Sequence, residues 1–356
     1  MNEQINYPCH DHDHLGFPCL FLPDALKNTS RFLTNSTPSL PMNPLPTPTS
    51  LLATLLTPLL LLCSSQIRAA EPMEDHPVED AAKFKLVQKS NSSLPTLYLV
   101  GDSTMKNGTP GQKGWGDEMA KYFDPSKLNV LNEAIGGRSS RTYQTEGRWD
   151  ALLPLIQKGD FVIIQFGHND MGPINENPPI TPSTRARGTI KGVGEETQEV
   201  DNILTKKHEV VHSFGWYMRK YVTDVKARGA TPIVMSLVPR NSFKDGKVAR
   251  FSPNNYGDWA HLSAESTSAL FVDDNEIIAE ELEKLGPEKA TDLFGFQPKK
   301  TPPVRDGLHS SAAGAAFNAR CAIAGLKALP GNPFGMYFSD AAKDVPPFTT
   351  ATTPAK

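Results

Sequence analysis

Leu97-Tyr98-Leu99-Val100-Gly101-Asp102-Ser103-Thr104 is the stretch on which the fold turns. Four consecutive apolar residues, one aromatic and one β-branched, suit a short strand buried on both faces. Gly101 allows the sharp exit that a side chain would obstruct, and an acid and a hydroxyl follow at once. Open α/β sheets bind ligands beyond the carboxyl ends of their strands, which makes Ser103 a candidate nucleophile. Taken alone, a serine at a strand-to-turn junction reads equally as a plain turn residue, and the weight comes from the rest of the chain.

Downstream the pattern is strand, loop, helix, repeated. Strands are expected at 128–135 ending in Gly136-Gly137, at Phe161-Val162-Ile163-Ile164-Gln165-Phe166 ending in Gly167, at 231–238 ending in Pro239, and at 269–272. Helical spacing covers 115–123, 146–157, 256–268, 275–285 and 310–329. Residues 207–228 carry Val210, Val211, Phe214, Tyr217, Met218, Tyr221, Val222 and Val225 at three- and four-residue steps, an amphipathic helix closed by Gly229. Between the third strand and this helix, 171–206 is rich in Pro, Gly and Thr and reads as a long surface insertion, able to wall a groove. Such alternation argues for an α/β fold, a parallel sheet between two helical layers with right-handed crossovers.

The 356 residues are 38% hydrophobic and 21% charged, with a formal net charge of −3. This is ordinary globular composition with no nucleic-acid footprint and no polybasic membrane patch. Cys9, Cys19 and Cys63 precede the folded region, and Cys321 alone lies within it, so neither a disulfide framework nor a cysteine metal site can form there.

Residues 1–70 read as a disordered extension plus a signal peptide. Leu51–Cys63 is a 13-residue apolar run, too short to span a bilayer and suited to a signal core, with small residues after it. A basic segment just upstream is missing, which fits a start at Met42; Leu62 is large for a lipoprotein site at Cys63, and a buried helix is the alternative for the run. A secreted or periplasmic protein maturing between 66 and 71 is expected. His10, His12 and His14 alternate with Asp11 and Asp13, a disordered run or a weak metal site. Residues 71–93 read as a linker, 94–340 as one domain and 341–356 as a flexible tail.

Three strand ends set polar groups beside glycine: Gly101-Asp102-Ser103, Gly136-Gly137-Arg138-Ser139 and Gly167-His168-Asn169-Asp170. In a parallel sheet these ends share one edge. A fourth signal, Arg305-Asp306-Gly307-Leu308-His309, precedes the last helix. In a turn leading into that helix, the Asp306 carboxylate reaches the Nδ1 of His309 and leaves Nε2 to face Ser103 as a base. The acid fixes the tautomer and stabilises the imidazolium. The backbone N–H groups of Ser103 and Gly137 and the amide of Asn169 are suitable donors to an oxyanion. Arg138 and Arg141 either bind a substrate carboxylate bidentately or serve as structural ion pairs. Trp115 and Trp149 either stack on sugar rings or fill the core.

This set resembles the GDSL or SGNH hydrolases, in which a Gly-Asp-Ser after the first strand, a Gly after the second, a Gly-x-Asn-Asp after the third and an Asp-x-x-His near the C-terminus occur in this order. Asn132-Glu133-Ala134-Ile135-Gly136-Gly137-Arg138-Ser139, Val100 to Thr104, Gly167 to Asp170 and Gly215-Trp216-Tyr217 are most similar to the rhamnogalacturonan acetylesterase branch, carbohydrate esterase family twelve. The resemblance spans 96–329. It implies a flavodoxin-like three-layer sandwich with a five-stranded parallel sheet. It also implies metal-independent, cofactor-free removal of acetyl groups from pectic polysaccharide, with Ser103, Asp306 and His309 catalytic. Acetylated xylan is the alternative substrate. A metallophosphoesterase fits poorly, since His and Asn stand in reversed order in Gly167–Asp170 and no Asp-x-His follows the first strand. Ser103 is not in a Gly-x-Ser-x-Gly elbow either, because position 105 is Met. A carbohydrate-binding protein with an inert site needs none of the five groups.

Overall fold

The structure is a computed structural model that describes residues 85–181 and 183–349. The N-terminal extension, its apolar run and the His10–His14 segment lie outside the described residues. Along the chain, β1 (Thr96–Gly101) is followed by 3-10 turns at Trp115–Glu118 and Ala120–Tyr122, then β2 (Asn129–Asn132), α1 (Ser140–Thr145), α2 (Arg148–Leu152) and β3 (Phe161–Gln165). Next come β4 (Thr197–Asp201), β5 (His208–His212), α3 (Phe214–Ala227), β6 (Thr231–Met235), β7 (Phe243–Lys244) and β8 (Lys247–Val248). The chain continues through α4 (Tyr256–Ser266), β9 (Leu270–Val272), α5 (Asp274–Leu285), α6 (Pro287–Thr291), β10 (Phe294–Phe296), β11 (Arg305–Ser310) and α7 (Ala312–Ala328).

The central sheet has five strands in the order β2-β1-β3-β6-β9, all parallel. Leu99 pairs with Asn132 on one side and Ile163 on the other, and Ile163 pairs with Ile233. Side chains alternate across a strand, and here both faces are apolar. Leu97, Leu99, Ile163 and Ile233 pack on one face with Ile278 and Leu282 of α5 and Ile323 and Leu326 of α7. Tyr98, Val100, Val162 and Ile164 pack on the other with Trp149 of α2 and Met218, Tyr221 and Val222 of α3. The result is the expected three-layer α/β sandwich. Among the described residues no helix is long and apolar enough to cross a membrane.

Several local expectations are corrected. Residues 115–123 are not one helix but two short 3-10 turns: the Met119 and Tyr122 N–H groups bond three residues back, to the carbonyls of Gly116 and Met119, and the chain is extended by Phe123. Residues 207–228 split into β5 and α3. Glu209 and Val211 are buried while Val210 faces out, a two-residue alternation, and Ser213 Oγ caps α3 by accepting from the Trp216 N–H. The insertion supplies β4, antiparallel to β5, and it is packed: Thr184, Ala186, Val200, Asn202 and Ile203 are buried.

The proposed linker is tied down from residue 87, where the Val87 N–H donates to Glu133 and Ser90 Oγ to Asn129 Oδ1, both at 2.8 Å. The proposed tail is docked through 349. Ala342 and Val345 are buried, Lys327 Nζ donates to both their carbonyls, and the Phe348 N–H bonds to the carbonyl of Ala324 on α7.

Candidate active site

The carboxyl edge of the sheet builds the site from four loops. After β1 the chain turns at once. Asp102 is buried, and its Oδ1 accepts from both the N–H and the hydroxyl of Thr104 at 2.8 Å, while its carbonyl accepts from the N–H groups of Met105 and Lys106. Burial pushes the Asp102 carboxyl above its ordinary range, against the pull of the Thr104 hydrogen bonds. This knot presents Ser103 at the surface of the turn.

The imidazole that faces it arrives from elsewhere. Asp306 and His309 do not lie in a turn but on β11, which pairs antiparallel with β10. The Nε2 of His309 stands 2.9 Å from Ser103 Oγ, across 206 positions of sequence. Its Nδ1 is 3.2 Å from Asp306 Oδ2, although the angle there is too bent for a well-aligned hydrogen bond. Asp306 is anchored firmly: Oδ1 accepts from the N–H groups of Leu308 and His309 at 2.8 Å, and Oδ2 accepts from Gln112 Nε2 at 3.2 Å. Burial raises its carboxyl pKa, but these backbone donors together with His309 outweigh that and hold it below the ordinary value. Gln112 also donates to the carbonyl of Phe296 at 2.9 Å, pinning the ribbon to the loop after β1. Nothing in the sequence marks Gln112, because its role depends on contacts nearly two hundred residues away.

The β2 and β3 loops supply donors. A Cβ placed on Gly136 would lie 3.5 Å from Ser103 Cβ, so this loop abuts the nucleophile. Gly137 adopts φ +81°, a left-handed conformation natural to glycine. Among the described residues, the N–H groups of Ser103 and Gly137 have no protein acceptor. Asn169, 7% exposed, donates one amide hydrogen to the carbonyl of Arg138 at 2.8 Å, which fixes the amide across the loop and leaves its second N–H. Its neighbour His168 donates from Nε2 to the carbonyl of Val238 at 3.0 Å, and burial drives its pKa down to about 3, so it stays neutral. Asp170, fully buried, accepts from the N–H and hydroxyl of Ser140 and is pushed up to about 7 by burial.

The two expected arginines part company. Arg141 is 0% exposed and donates to Glu209 Oε2 at 2.6 Å and to the carbonyls of Ile174 and Gly188 at 2.9 and 3.0 Å. It holds the insertion to α1 and has no surface with which to meet a substrate, which corrects its assignment as a binding residue. Arg138 is partly exposed but is engaged by Glu146 at 2.9 Å and by the carbonyl of Gly136 at 3.1 Å. Trp115 and Trp149 are fully buried and donate to Gln165 and Asp224; they fill the core and do not stack on a ligand. Arg187, which no motif in the sequence marks, reaches out of the insertion to donate to the Gly137 carbonyl at 3.1 Å.

The arrangement sets a hydroxyl against a ring nitrogen and the other ring nitrogen against an ionised acid, with unspent N–H donors on Ser103 itself and on the neighbouring β2 and β3 loops. That is a constellation for nucleophilic acyl transfer.

Comparison with known proteins agrees with this geometry. The model of the GDSL-like lipase/acylhydrolase family matches residues 99–317. A rhamnogalacturonan acetylesterase of Emericella nidulans is 34% identical over 199 residues, 56% of this chain and 75% of that protein. The rhamnogalacturonan acetylesterase RhgT of Bacillus subtilis is 27% identical over 241 residues, 65% of this chain and 90% of its own length. Among solved structures, the protein YxiM of Bacillus subtilis is similar with a TM-score of 0.50 and 26% identity, covering 66% of this chain and 56% of that one. The match to residues 99–317 takes in all four loops of the site, and the chain belongs to the GDSL-like lipase/acylhydrolase family.

Proposed function

We propose that the protein is a carbohydrate O-acetylesterase that removes acetyl groups from pectic polysaccharide, of the rhamnogalacturonan acetylesterase type, by an acyl-enzyme mechanism on Ser103. His309 takes the hydroxyl proton as Ser103 Oγ attacks the acetyl carbonyl, and Asp306 steadies the resulting imidazolium. The developing oxyanion is met by the N–H groups of Ser103 and Gly137 and by the Asn169 amide, each such donor worth ~3 kcal/mol in the transition state. His309 returns the proton to the sugar oxygen as the acyl C–O bond breaks, which frees the hydroxyl and leaves Ser103 acetylated; water, activated by His309 in the same way, then hydrolyses the acetyl-serine to release acetate.

The observation that carries the reading is the 2.9 Å approach of Ser103 Oγ to His309 Nε2 beside N–H groups that nothing else in the described protein uses. The acetylesterases among its relatives support the acetyl group and the polysaccharide. The apolar run Leu51–Cys63 supports export to the periplasm or the medium.

The deciding assay is acetate release from acetylated rhamnogalacturonan beside acetylated xylan, with p-nitrophenyl acetate as a small reporter in the presence and absence of EDTA. Preferential release from rhamnogalacturonan, unaffected by EDTA and absent in Ser103→Ala, is the expected result. Preference for xylan moves the substrate to the alternative of the same chemistry. Loss of hydrolysis on chelation transfers the reading to metal-dependent hydrolysis, and no hydrolysis of any ester to a binding protein.

A further inference from the structure

With Arg141 in the core and Arg138 engaged by Glu146, other cations border the site. On the β2 side stands Arg187. Its guanidinium is half-buried, donates to the Gly137 carbonyl, and has a buried Nε with no partner. The charges that reach it are those of Arg185 and Arg138 and of the buried carboxylates Asp102 and Asp170, and it forms no ion pair among the described residues.

On the opposite side stands Arg240, which follows β6 and Pro239. It is exposed, and its guanidinium makes neither a hydrogen bond nor an ion pair among the described residues. It is nonetheless part of the site's frame. The N–H of the next residue, Asn241, donates at 2.9 Å to the carbonyl of Gly307, between Asp306 and His309. The Arg240 charge also acts on His168, whose Nε2 donates to the carbonyl of Val238 just before Arg240. β2 and β6 are separated by three strand spacings in the sheet order, ~14 Å, a distance that several sugar rings cover.

We infer that Arg187 and Arg240 are carboxylate-recognising positions on either side of Ser103 and His309, and that they select acetylated polymers with ionised uronate groups on neighbouring sugars. A guanidinium presents planar paired donors that match a carboxylate. Arg187 is already partly stripped of water, so its pairing is less screened than that of a fully exposed arginine. With a net charge of only −3 over 356 residues, two unpaired arginines bracketing one serine are not a sample of a generally basic surface. The inference rests on the polysaccharide esterase reading and adds to it the residues that choose the polymer.

The test uses one polymer in two forms, acetylated rhamnogalacturonan with its carboxylates free and the same material with them methyl-esterified. The measured quantity is the ratio of kcat/KM for acetate release from the two forms, taken within each variant so that a general loss of turnover, such as disturbance of the Gly137 loop, cancels. Wild type should favour the free acid by about tenfold or more at low salt, the scale of one or two charge-assisted hydrogen bonds, and this preference should shrink as salt is raised. Arg187→Gln and Arg240→Gln should each bring the ratio towards one, chiefly through KM, and Arg240→Lys should keep part of it. A wild-type ratio near one, or a ratio untouched in both glutamine variants, overturns the inference and leaves the esterase standing. If neither form releases acetate while p-nitrophenyl acetate is still hydrolysed, the pectic reading itself fails and this inference with it.

Discussion

Ser103 owes its position to Asp102, whose side chain closes the turn beneath it, and in the proposed mechanism it owes its reactivity to a histidine delivered from the far end of the chain. Ser103→Ala and His309→Ala should each lower kcat by roughly 10^4-fold or more with the far-ultraviolet spectrum unchanged, since groups that act as a unit fail as a unit. Near-normal turnover in His309→Ala would remove the imidazole from the mechanism. Gly137 is a sharper probe of backbone. Any side chain there meets φ +81° and brings its Cβ to 3.5 Å from Arg187 Nη1, so Gly137→Ala should cost ~1–2 kcal/mol of stability and lower kcat by displacing an oxyanion donor. Gln112→Ala should leave stability nearly intact and reduce kcat, because Asp306 loses the donor on Oδ2 and the ribbon its tie to Phe296.

Helices and strands carry their own tests. Asp274 opens α5 with its Oδ2 accepting from Gln165 at 3.1 Å and its Oδ1 without a partner, and burial lifts its carboxyl to about 8. An unfolded aspartate loses its proton near its ordinary value of 3.8. Between those limits the folded state therefore holds a proton that the unfolded state has released, and stability falls as pH rises. Calorimetry of wild type should show a lower Tm at pH 9 than at pH 5, roughly beyond the upper limit and just above the lower one, and Asp274→Asn should flatten that decline; an unchanged slope excludes Asp274 as its source. At the insertion, Glu209→Gln leaves the Arg141 guanidinium buried without its counter-charge, at a cost of ~3–5 kcal/mol in urea unfolding. Much of the architecture could be read from the chain because it is local. Each apolar strand ending in glycine announces itself within a few residues, and Gly101, Gly137, Asn169 and His309 stand at such ends or in a motif. The β4–β5 hairpin could not be read, because Val210 and Val211 continue the helical spacing of α3 and only the Ser213 cap hints at the break. Gln112, Arg187 and the buried fate of Arg141 depend on pairings across long stretches of chain, which periodicity does not encode.

The described residues form two apolar cores separated by one sheet, and the segment after α7 completes one of them. Phe334 is fully buried against Phe123 and Phe161, with ring centroids 5.7 and 4.5 Å away; Phe334→Ala should cost ~3–5 kcal/mol. Ending the chain after Ser339 removes Ala342, Val345 and Phe348 from the face of α7 and should destabilise by a similar amount, measured as a lowered urea midpoint. Ser103 and His309 belong to different parts of this body. Ser103 is rooted in the central sheet, whereas His309 rides on a two-stranded ribbon that reaches one core through Phe294 and Leu308 and is otherwise held by hydrogen bonds to Gln112, Lys113, Asn241 and Asn318. Such a ribbon can loosen at a lower free energy than the sheet. Mild denaturant should therefore silence hydrolysis while the tryptophans of the interior still report an intact protein, an inactivation that precedes melting and reverses on dilution.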